Sequence, residues 1–285
     1  MYAPSTQSAG RVPGTARRLP SATRIADYSV ITLAIVFGAG SIGLFAWPTR
    51  PAFVPLGLSP VATIWWNTLV SFVFFAQHSV LVRRPVRARL AVIIPPRYDG
   101  AFYAITSGIA LAVVAVLLQP AAQALFVLEG LPRLAVTTAS LLAVGGFAWG
   151  VRALRTFDLL GLRPIRAHLR GDSGRSSETE PPVNALVVRG PYRWVRHPLY
   201  TCVIVLLWAN PVMSLDRLVL AAVWTTWIVV GALLEELDLM SDFGDAYRQY
   251  RSQVPILIPW RGRVAAQIAV PTRSGGRAAS DIMKR

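Results

Sequence analysis

Arg189-Gly-Pro-Tyr-Arg-Trp-Val-Arg-His-Pro-Leu-Tyr200 is a basic, polar run directly followed by an apolar segment. That segment is interrupted at Asn210-Pro211, and a second apolar segment then runs into Glu235-Glu236. Two apolar segments joined by a short turn predict a helical hairpin, with both polar ends on one side of a membrane. Crossing a bilayer does not require such polar ends, so we expect them to carry the function.

The composition of the chain is typical of an integral membrane protein. Of its 285 residues, 54% are hydrophobic and only 15% are charged, which is unusual for a soluble domain. The formal net charge of +15 could favour a nucleic-acid partner. The arginines, however, are concentrated in the tails and in alternate loops between apolar runs, as the positive-inside rule predicts. We therefore predict a lipid-bilayer partner and no nucleic acid.

Six apolar runs are candidates for membrane crossings, which need roughly 20 residues each. They cover residues 28–47, 61–82, 101–118, 134–156, 199–212 and 218–234. The fifth run is short and has Pro211 near its end. The predicted fold is therefore all-α and integral to the membrane, a polytopic helical bundle of five to six transmembrane helices. The alternation of arginine-rich and arginine-poor loops predicts the cell (inner) membrane, with both termini cytosolic.

The remaining segments are predicted to lie outside the helical bundle. Residues 1–25 and 261–285 are basic and poor in periodic apolar residues, which predicts two disordered tails. Residues 171–183 are polar and rich in Ser and Glu, which predicts a flexible insert. The insert interrupts a single membrane domain of residues 26–260.

Polar residues from separate segments are predicted to converge at one depth, on the cytosolic side. They are Gln77, His78, Asp158, Arg163, the run from Arg196 to Tyr200, and the pair Glu235-Glu236. Ionisable groups at membrane depth are costly and usually line a cavity or pair with one another. The alternatives are a solvated arginine flank, a glutamate pair at a water-facing helix end, and a His78 that bonds a backbone carbonyl. Pro198 is a normal helix start, but it does not account for His197.

Several classes of site are disfavoured by the residues present. Cys202 is the only cysteine, and no two of the three histidines (His78, His168, His197) have helical i,i+4 spacing. We therefore predict no metal site. No nucleophile elbow, Walker loop or dinucleotide-binding glycine fingerprint is present, which disfavours hydrolases, ATPases and dehydrogenases.

The hairpin and its flanks carry a family resemblance. The ordered elements are Arg196-His-Pro-x-Tyr200, Asn210-Pro211, Glu235-Glu236 and Phe243-Gly-x-x-Tyr247-x-x-Tyr250-x-x-x-Val254-Pro255. They resemble the integral-membrane methyltransferase superfamily that includes isoprenylcysteine carboxyl methyltransferases. A wider resemblance, to bacterial methanethiol S-methyltransferases, extends from about Trp65 to Pro259. It rests on Phe75-Ala-Gln-His-Ser79, Ile94-Pro-Pro-Arg97, Phe157-Asp-Leu-Leu-Gly-Leu-Arg163, Pro211-Val-Met213, Thr225-Thr226 and Leu234-Glu-Glu-Leu-Asp-Leu239.

The resemblance implies S-adenosyl-L-methionine as cofactor and methyl transfer to a small volatile thiol. Carried over by position, the cofactor-binding residues are Asn184, Ala185, Leu186, Val187, Tyr192, His197, Pro198, Leu199, Tyr200 and Glu235. The candidate catalytic residues are His197, Glu236 and His78, any of which could accept the thiol proton. Gln77, His78, Asp158 and Arg163 are the candidate substrate-binding residues.

One departure from the superfamily bears on the substrate. The isoprenylcysteine enzymes carry a substrate-directed arginine four residues before the first glutamate of the pair, and this chain has Gly231 there. The departure disfavours a substrate that presents a carboxylate. An isoprenylcysteine or lipid methyltransferase remains the alternative within the superfamily. A haem-binding membrane protein or isomerase with His78 as axial ligand is the alternative of another class.

Overall fold

The computed structural model describes residues 21–46, 52–120, 123–154, 158–171, 186–265 and 267–269. The first helical stretch begins as α1 (Ser21–Leu33), continues as a π-helix (Ala34–Ala39) and ends as α2 (Gly40–Ala46). The later helices are α3 (Pro60–Val82), α4 (Arg84–Leu90), α5 (Asp99–Leu117), α6 (Gly130–Ala153), α7 (Arg163–Arg170), α8 (Pro198–Trp208) and α9 (Leu215–Gln253). The bundle is thus built from nearly the same apolar runs that the sequence marks out.

Short strands and 3₁₀ turns connect the helices. Strand β1 (Ala124–Val127) pairs antiparallel with β3 (Val212–Ser214), and β2 (Leu186–Val188) pairs antiparallel with β4 (Gln267–Ala269). The 3₁₀ turns cover Pro96–Tyr98 and Gly190–Arg193. The first strand pair ties the α5–α6 connection to the α8–α9 turn, and the second brings the segment before α8 against a segment that follows α9.

The lengths of the helices agree with a membrane bundle. In the described part of the chain, four helical stretches are long and apolar enough to cross a membrane: Ala22–Phe45, Pro96–Leu117, Gly130–Ala153 and Leu215–Gln253. Helix α3 has 23 residues, about 34 Å at the α-helical rise, so it also has the length of a span. The all-α membrane fold is confirmed.

Helix α8 is the short member of the hairpin. Its 11 residues extend only about 16 Å, roughly half of a hydrocarbon core. It nevertheless packs closely on α6, because Gly150 leaves room for Leu199: a Cβ at Gly150 would lie 2.6 Å from the Leu199 side chain. A Cβ at Gly146 would lie 3.0 Å from Cys202 Sγ. Small residues one turn apart thus let the two backbones approach.

Helix α9 is much longer than the apolar run that predicted it. It extends from Leu215 to Gln253 and is broken at Gly244, whose φ of 53° and ψ of −126° are non-helical. A positive φ strains any residue with a Cβ, which explains glycine in the Phe243-Gly element. The break lets the chain turn so that Tyr247, Tyr250 and Val254 pack against Val188 of β2.

The structure differs from the sequence prediction at the two tail boundaries. Helix α1 begins at Ser21, inside the range assigned to the first tail, and residues 1–20 lie outside the described part. Strand β4 lies inside the range assigned to the second tail. Its backbone pairing with β2 is a long-range contact that no local pattern signals. Of the predicted insert at 171–183, only Gly171 is described, and it ends α7 with a φ of 76°.

Candidate functional site

The Arg196-His197-Pro198 turn is held by the chain that follows α9. The backbone N–H of Arg196 donates to Pro255 O at 2.9 Å, and that of His197 donates to Ile256 O at 3.1 Å. Pro198 then opens α8 at its first turn, where a missing N–H costs nothing. Thr201 adds a hydroxyl bond to Leu257 O at 2.8 Å. Hydrogen bonds to the carbonyls of residues 255–257 therefore fix the position of the turn relative to the segment after α9.

The two adjacent glutamates of α9 have opposite surroundings. Glu236 is 2% exposed, with Oε1 2.7 Å from Arg196 Nε and Oε2 3.5 Å from Arg251 Nε. The Glu235 side chain is 47% exposed, and its Oε2 accepts a hydrogen bond from the Tyr200 hydroxyl at 2.9 Å. Consecutive residues point about 100° apart on a helix, so Glu236 faces the protein and Glu235 faces the open side.

His197 lies between the two carboxylates. Its Nε2 is 3.3 Å from Glu236 Oε1, and its Nδ1 is 3.7 Å from Glu235 Oε2. Its ring stacks on Tyr200, with centroids 5.4 Å apart and 7° between the planes. Burial lowers the pKa of His197, and the charges of Glu235 and Glu236 oppose that effect. The imidazole is thus held rigidly beside the half-exposed carboxylate.

Tyrosines complete this side of the site. The Tyr250 hydroxyl donates to the carbonyl of Tyr192 at 2.7 Å, which anchors the 3₁₀ turn before α8. Burial raises the pKa of Tyr192, and the charge of the Glu235 carboxylate raises it further. Of the residues predicted from the sequence, His197, Tyr200 and Glu235 are therefore brought together, and Tyr192 lies in the 3₁₀ turn that precedes them.

The other cofactor positions are less tightly defined. Asn184 and Ala185 lie outside the described residues. Leu186 and Val187 belong to β2, where the backbone of Val187 pairs with that of Ile268. The buried Pro198 starts α8, while Leu199 packs against Gly150 of α6.

His78 forms a second polar group, between α3 and α5. Its Nε2 lies 2.9 Å from the Tyr103 hydroxyl, and its Nδ1 lies 3.2 Å from Ser107 Oγ. Gln77 lines an open groove of about 420 Å³ with Val80, Leu81, Phe102, Thr106, Ile109 and Ala110. The groove wall is almost entirely apolar.

Asp158 and Arg163 are brought together, but mainly as part of a helix start. Asp158 Oδ2 accepts the backbone N–H of Arg163 at 2.6 Å, which satisfies a free donor in the first turn of α7. Helix α7 packs against α1 and the Pro96–Tyr98 turn. The predicted convergence with the other polar groups is therefore not seen as direct contact for these two residues.

The chain is similar in sequence to curated bacterial methanethiol S-methyltransferases. The chain is 32% identical to methanethiol S-methyltransferase 1 of Bradyrhizobium diazoefficiens over 246 residues, which cover 84% of this chain and 82% of that protein. It is 30% identical to methanethiol S-methyltransferase of Mycobacterium tuberculosis over 253 residues, which cover 84% of this chain and 95% of that protein. The chain belongs to the methanethiol S-methyltransferase family. No family model matches the chain, and no solved structure matches it.

The family assignment confirms the resemblance noted in the sequence and makes the protein a membrane S-methyltransferase, which requires a methyl donor. The residues around Glu235 fit a ligand that carries a positive charge. Glu235 offers a half-exposed carboxylate, and the stacked rings of His197 and Tyr200 lie beside it. Carboxylates and aromatic faces are the groups that attract a cationic ligand.

Two groups of polar residues that form contacts in the structure were not predicted from the sequence. Arg251, whose Nε lies 3.5 Å from Glu236 Oε2, has no local signal, because nothing in the sequence distinguishes it from Arg248 in the same helical segment. The second group surrounds Asp27, which is fully buried. Asp27 accepts from the Tyr98 hydroxyl at 2.6 Å, and its other oxygen is 2.8 Å from His168 Nδ1. These partners lie 71 and 141 residues away along the chain.

Proposed function

We propose that the protein transfers a methyl group from S-adenosyl-L-methionine to the sulfur of methanethiol, giving dimethyl sulfide. The observation that carries this proposal is the half-exposed Glu235, flanked by the stacked rings of His197 and Tyr200. The names of the similar proteins support methanethiol as the acceptor. The reaction would take place at the cytosolic face of the cell membrane, because the arginine-rich segments mark that side.

In this proposal the cofactor lies between the turn before α8 and the end of the apolar part of α9. Glu235 would pair with a positive charge of the cofactor, and Tyr192, His197 and Tyr200 would cover it with aromatic surface. Pro198, Leu199 and residues 184–187 would complete the wall. When bound, the cofactor supplies an electrophilic methyl group on a cationic sulfur. The chain aligns the two sulfurs and excludes water, which together can supply much of the acceleration of an in-line displacement.

The structure supports different roles for the candidate catalytic residues. Glu236 is enclosed by Arg196, His197 and Arg251, so we assign it to positioning His197. Both ring nitrogens of His197 face glutamates, which favours a cofactor-binding role. Within the described residues, the ring nitrogens of His78 contact the hydroxyls of Tyr103 and Ser107 and are not paired with a carboxylate. We therefore propose His78 as the base that removes the thiol proton.

The substrate proposal rests on the surroundings of Gly231 and Gln77. A Cβ at Gly231 would meet no atom within 4 Å, so the glycine is not required by packing and leaves open space one turn before Glu235. No cation projects from this position to pair with an acidic substrate, and an unpaired buried carboxylate would be strongly disfavoured. The apolar groove beside Gln77 suits a small neutral thiol that arrives through the bilayer. We assign Asp158 and Arg163 to the start of α7.

The test is a side-by-side assay of purified protein with methyl-labelled S-adenosyl-L-methionine. We expect label in dimethyl sulfide when methanethiol is the acceptor, and none in a farnesylcysteine analogue. Label in the prenylcysteine carboxylate but not in dimethyl sulfide would reject the substrate assignment and leave the methyltransferase family intact.

The cofactor site is tested separately by calorimetry. Glu235→Ala should weaken binding of S-adenosyl-L-methionine, since one charge-assisted contact contributes about 1.5–3 kcal/mol, or about 10-fold to 100-fold in Kd. Arg133→Ala, an exposed substitution at the start of α6, serves as control. Unchanged affinity in Glu235→Ala would reject the proposed cofactor site.

A further inference from the structure

The position of the His78 ring is defined by contacts with side chains of α3 and α5. His78 lies about one turn before the end of α3, and its ring stacks on Phe74 with centroids 5.2 Å apart. Two hydroxyls of α5 meet its edge, Tyr103 at Nε2 and the buried Ser107 at Nδ1. The Tyr103 oxygen is also 3.2 Å from Nδ1, so its shorter contact is with Nε2. The imidazole is therefore held by three side chains from two helices.

The hydrogen positions follow from the chemistry of these partners. A neutral imidazole has one N–H, so one nitrogen donates and the other accepts. A phenol is a stronger donor than an alcohol, because its unperturbed pKa of about 10 is far below that of an aliphatic hydroxyl. We assign Tyr103 as the donor to Nε2, which leaves Nδ1–H to donate to Ser107 Oγ. This assignment is inferred from the network of contacts.

In this tautomer the basic nitrogen of His78 is covered by the Tyr103 hydroxyl. A substrate thiol then reaches the histidine through the phenol oxygen rather than directly. The phenol oxygen is therefore the atom of this pair that the thiol can meet.

We propose that Tyr103 is a catalytic residue that receives the thiol proton while it passes its own proton to His78. This proposal rests on the proposed function. The S–H bond breaks and its proton goes to the Tyr103 oxygen, while the Tyr103 O–H bond breaks and its proton goes to His78 Nε2. The thiol sulfur would use its electron pair to form the new bond to the methyl carbon of the donor. The bond between that carbon and the donor sulfur would break, and its electron pair would stay on the donor, which leaves as a neutral thioether. Tyr103 ends neutral and His78 ends as an imidazolium whose Nδ1–H is still accepted by Ser107.

The polar contacts of the His78 ring in the described part of the chain are the hydroxyls of Tyr103 and Ser107. The charge of Arg87 on α4 acts on Tyr103, and Arg87 is itself paired with Asp99. The imidazolium formed during turnover therefore contacts hydroxyls rather than a carboxylate, which favours loss of the proton after product release.

The test compares wild type, Tyr103→Phe and the control Tyr28→Phe with thiols of different acidity. Tyr28 lies on α1 and is 57% exposed, so the control makes the same chemical change away from the proposed site. Tyr103→Phe should lower kcat/KM for methanethiol by about 100-fold or more, as expected for loss of proton transfer. The loss should shrink for thiophenol, which is more acidic, and should shrink for methanethiol as the pH rises. Tyr28→Phe should keep wild-type rates.

A spectroscopic measurement on the protein without cofactor provides an independent readout. Nitrogen-15 NMR of the three histidines should show His78 as the Nδ1–H tautomer in wild type and as a mixture in Tyr103→Phe. An equal loss of rate for both thiols at every pH, with an unchanged tautomer, would overturn the proposal for Tyr103. Wild-type protein that methylates no thiol would instead overturn the proposed function, so the two failures are distinguishable.

Discussion

Neutralising Glu236 is expected to destabilise the protein, whereas the same change at Glu235 is expected to leave its stability nearly unchanged. The Glu236 carboxylate is 2% exposed and lies 2.7 Å from Arg196, 3.3 Å from His197 and 3.5 Å from Arg251. The Arg196 side chain is itself only 9% exposed. Glu236→Gln would therefore leave a buried guanidinium without its counter-charge.

The size of the destabilisation depends on the hydrogen bonds that Arg196 keeps in Glu236→Gln. Removing one partner of a buried ion pair costs about 3–5 kcal/mol. Arg196 keeps hydrogen bonds from Nη1 to the carbonyls of Arg251 and Val254 at 2.8 and 3.1 Å, so we expect the lower end, about 3 kcal/mol. For a chain of this size that corresponds to a fall in Tm of roughly 6–12 °C. Glu235→Gln loses one half-exposed contact with Tyr200 and should cost about 1 kcal/mol or less.

The assay is thermal unfolding of each variant in one detergent, without cofactor, followed by tryptophan fluorescence. Calorimetry with S-adenosyl-L-methionine on the same samples should show the reverse order, with the larger loss of affinity in Glu235→Gln. Equal destabilisation at both positions would refute the reasoning, as would a stable Glu236→Gln that has lost cofactor binding.

A double variant distinguishes the stability cost of an unpaired buried charge from the contribution of side-chain packing. Arg196→Met combined with Glu236→Leu replaces the ion pair by apolar side chains of similar size, a change that is often neutral or stabilising. The double variant should therefore be more stable than Glu236→Gln alone. A double variant that is less stable than Glu236→Gln would show that the pair is needed for more than charge compensation.

Three further predictions concern His197, Gly231 and the topology. Because burial lowers the pKa of His197 from 6.5, the unfolded chain binds more protons below that pH. The contribution of His197 to stability is thus present above pH 6.5 and lost as the pH falls, and unfolding curves of His197→Gln should show a weaker acid dependence. Gly231→Ala should raise the free energy of unfolding by about 0.5–1 kcal/mol, since its Cβ meets open space; a lower value in denaturant titration would contradict this. A reporter fused after Arg261 should signal the cytosol, and a periplasmic signal would contradict the proposed topology.

The sequence by itself determined the helical architecture. Apolar runs of about 20 residues satisfy the hydrocarbon core only as helices, because each backbone N–H and C=O is then bonded within its own segment. The Arg196-His-Pro turn and the Asn210-Pro211 interruption likewise have local causes, since proline is favoured in the first turn of a helix and disrupts a helix interior. These features depend on neighbours in the chain, and the structure has them where the sequence predicts them.

The tertiary structure alone decided which polar groups meet. Glu235 and Glu236 are adjacent and chemically identical, and only the packing of Arg196 and Arg251 around α9 makes one the buried partner and the other the open carboxylate. The contacts of Asp27 and the hydroxyls that hold His78 also join segments far apart in the chain. The physical reason is that a side chain's pKa, exposure and partners are set by the helices packed against it, and helix packing is a property of the whole bundle.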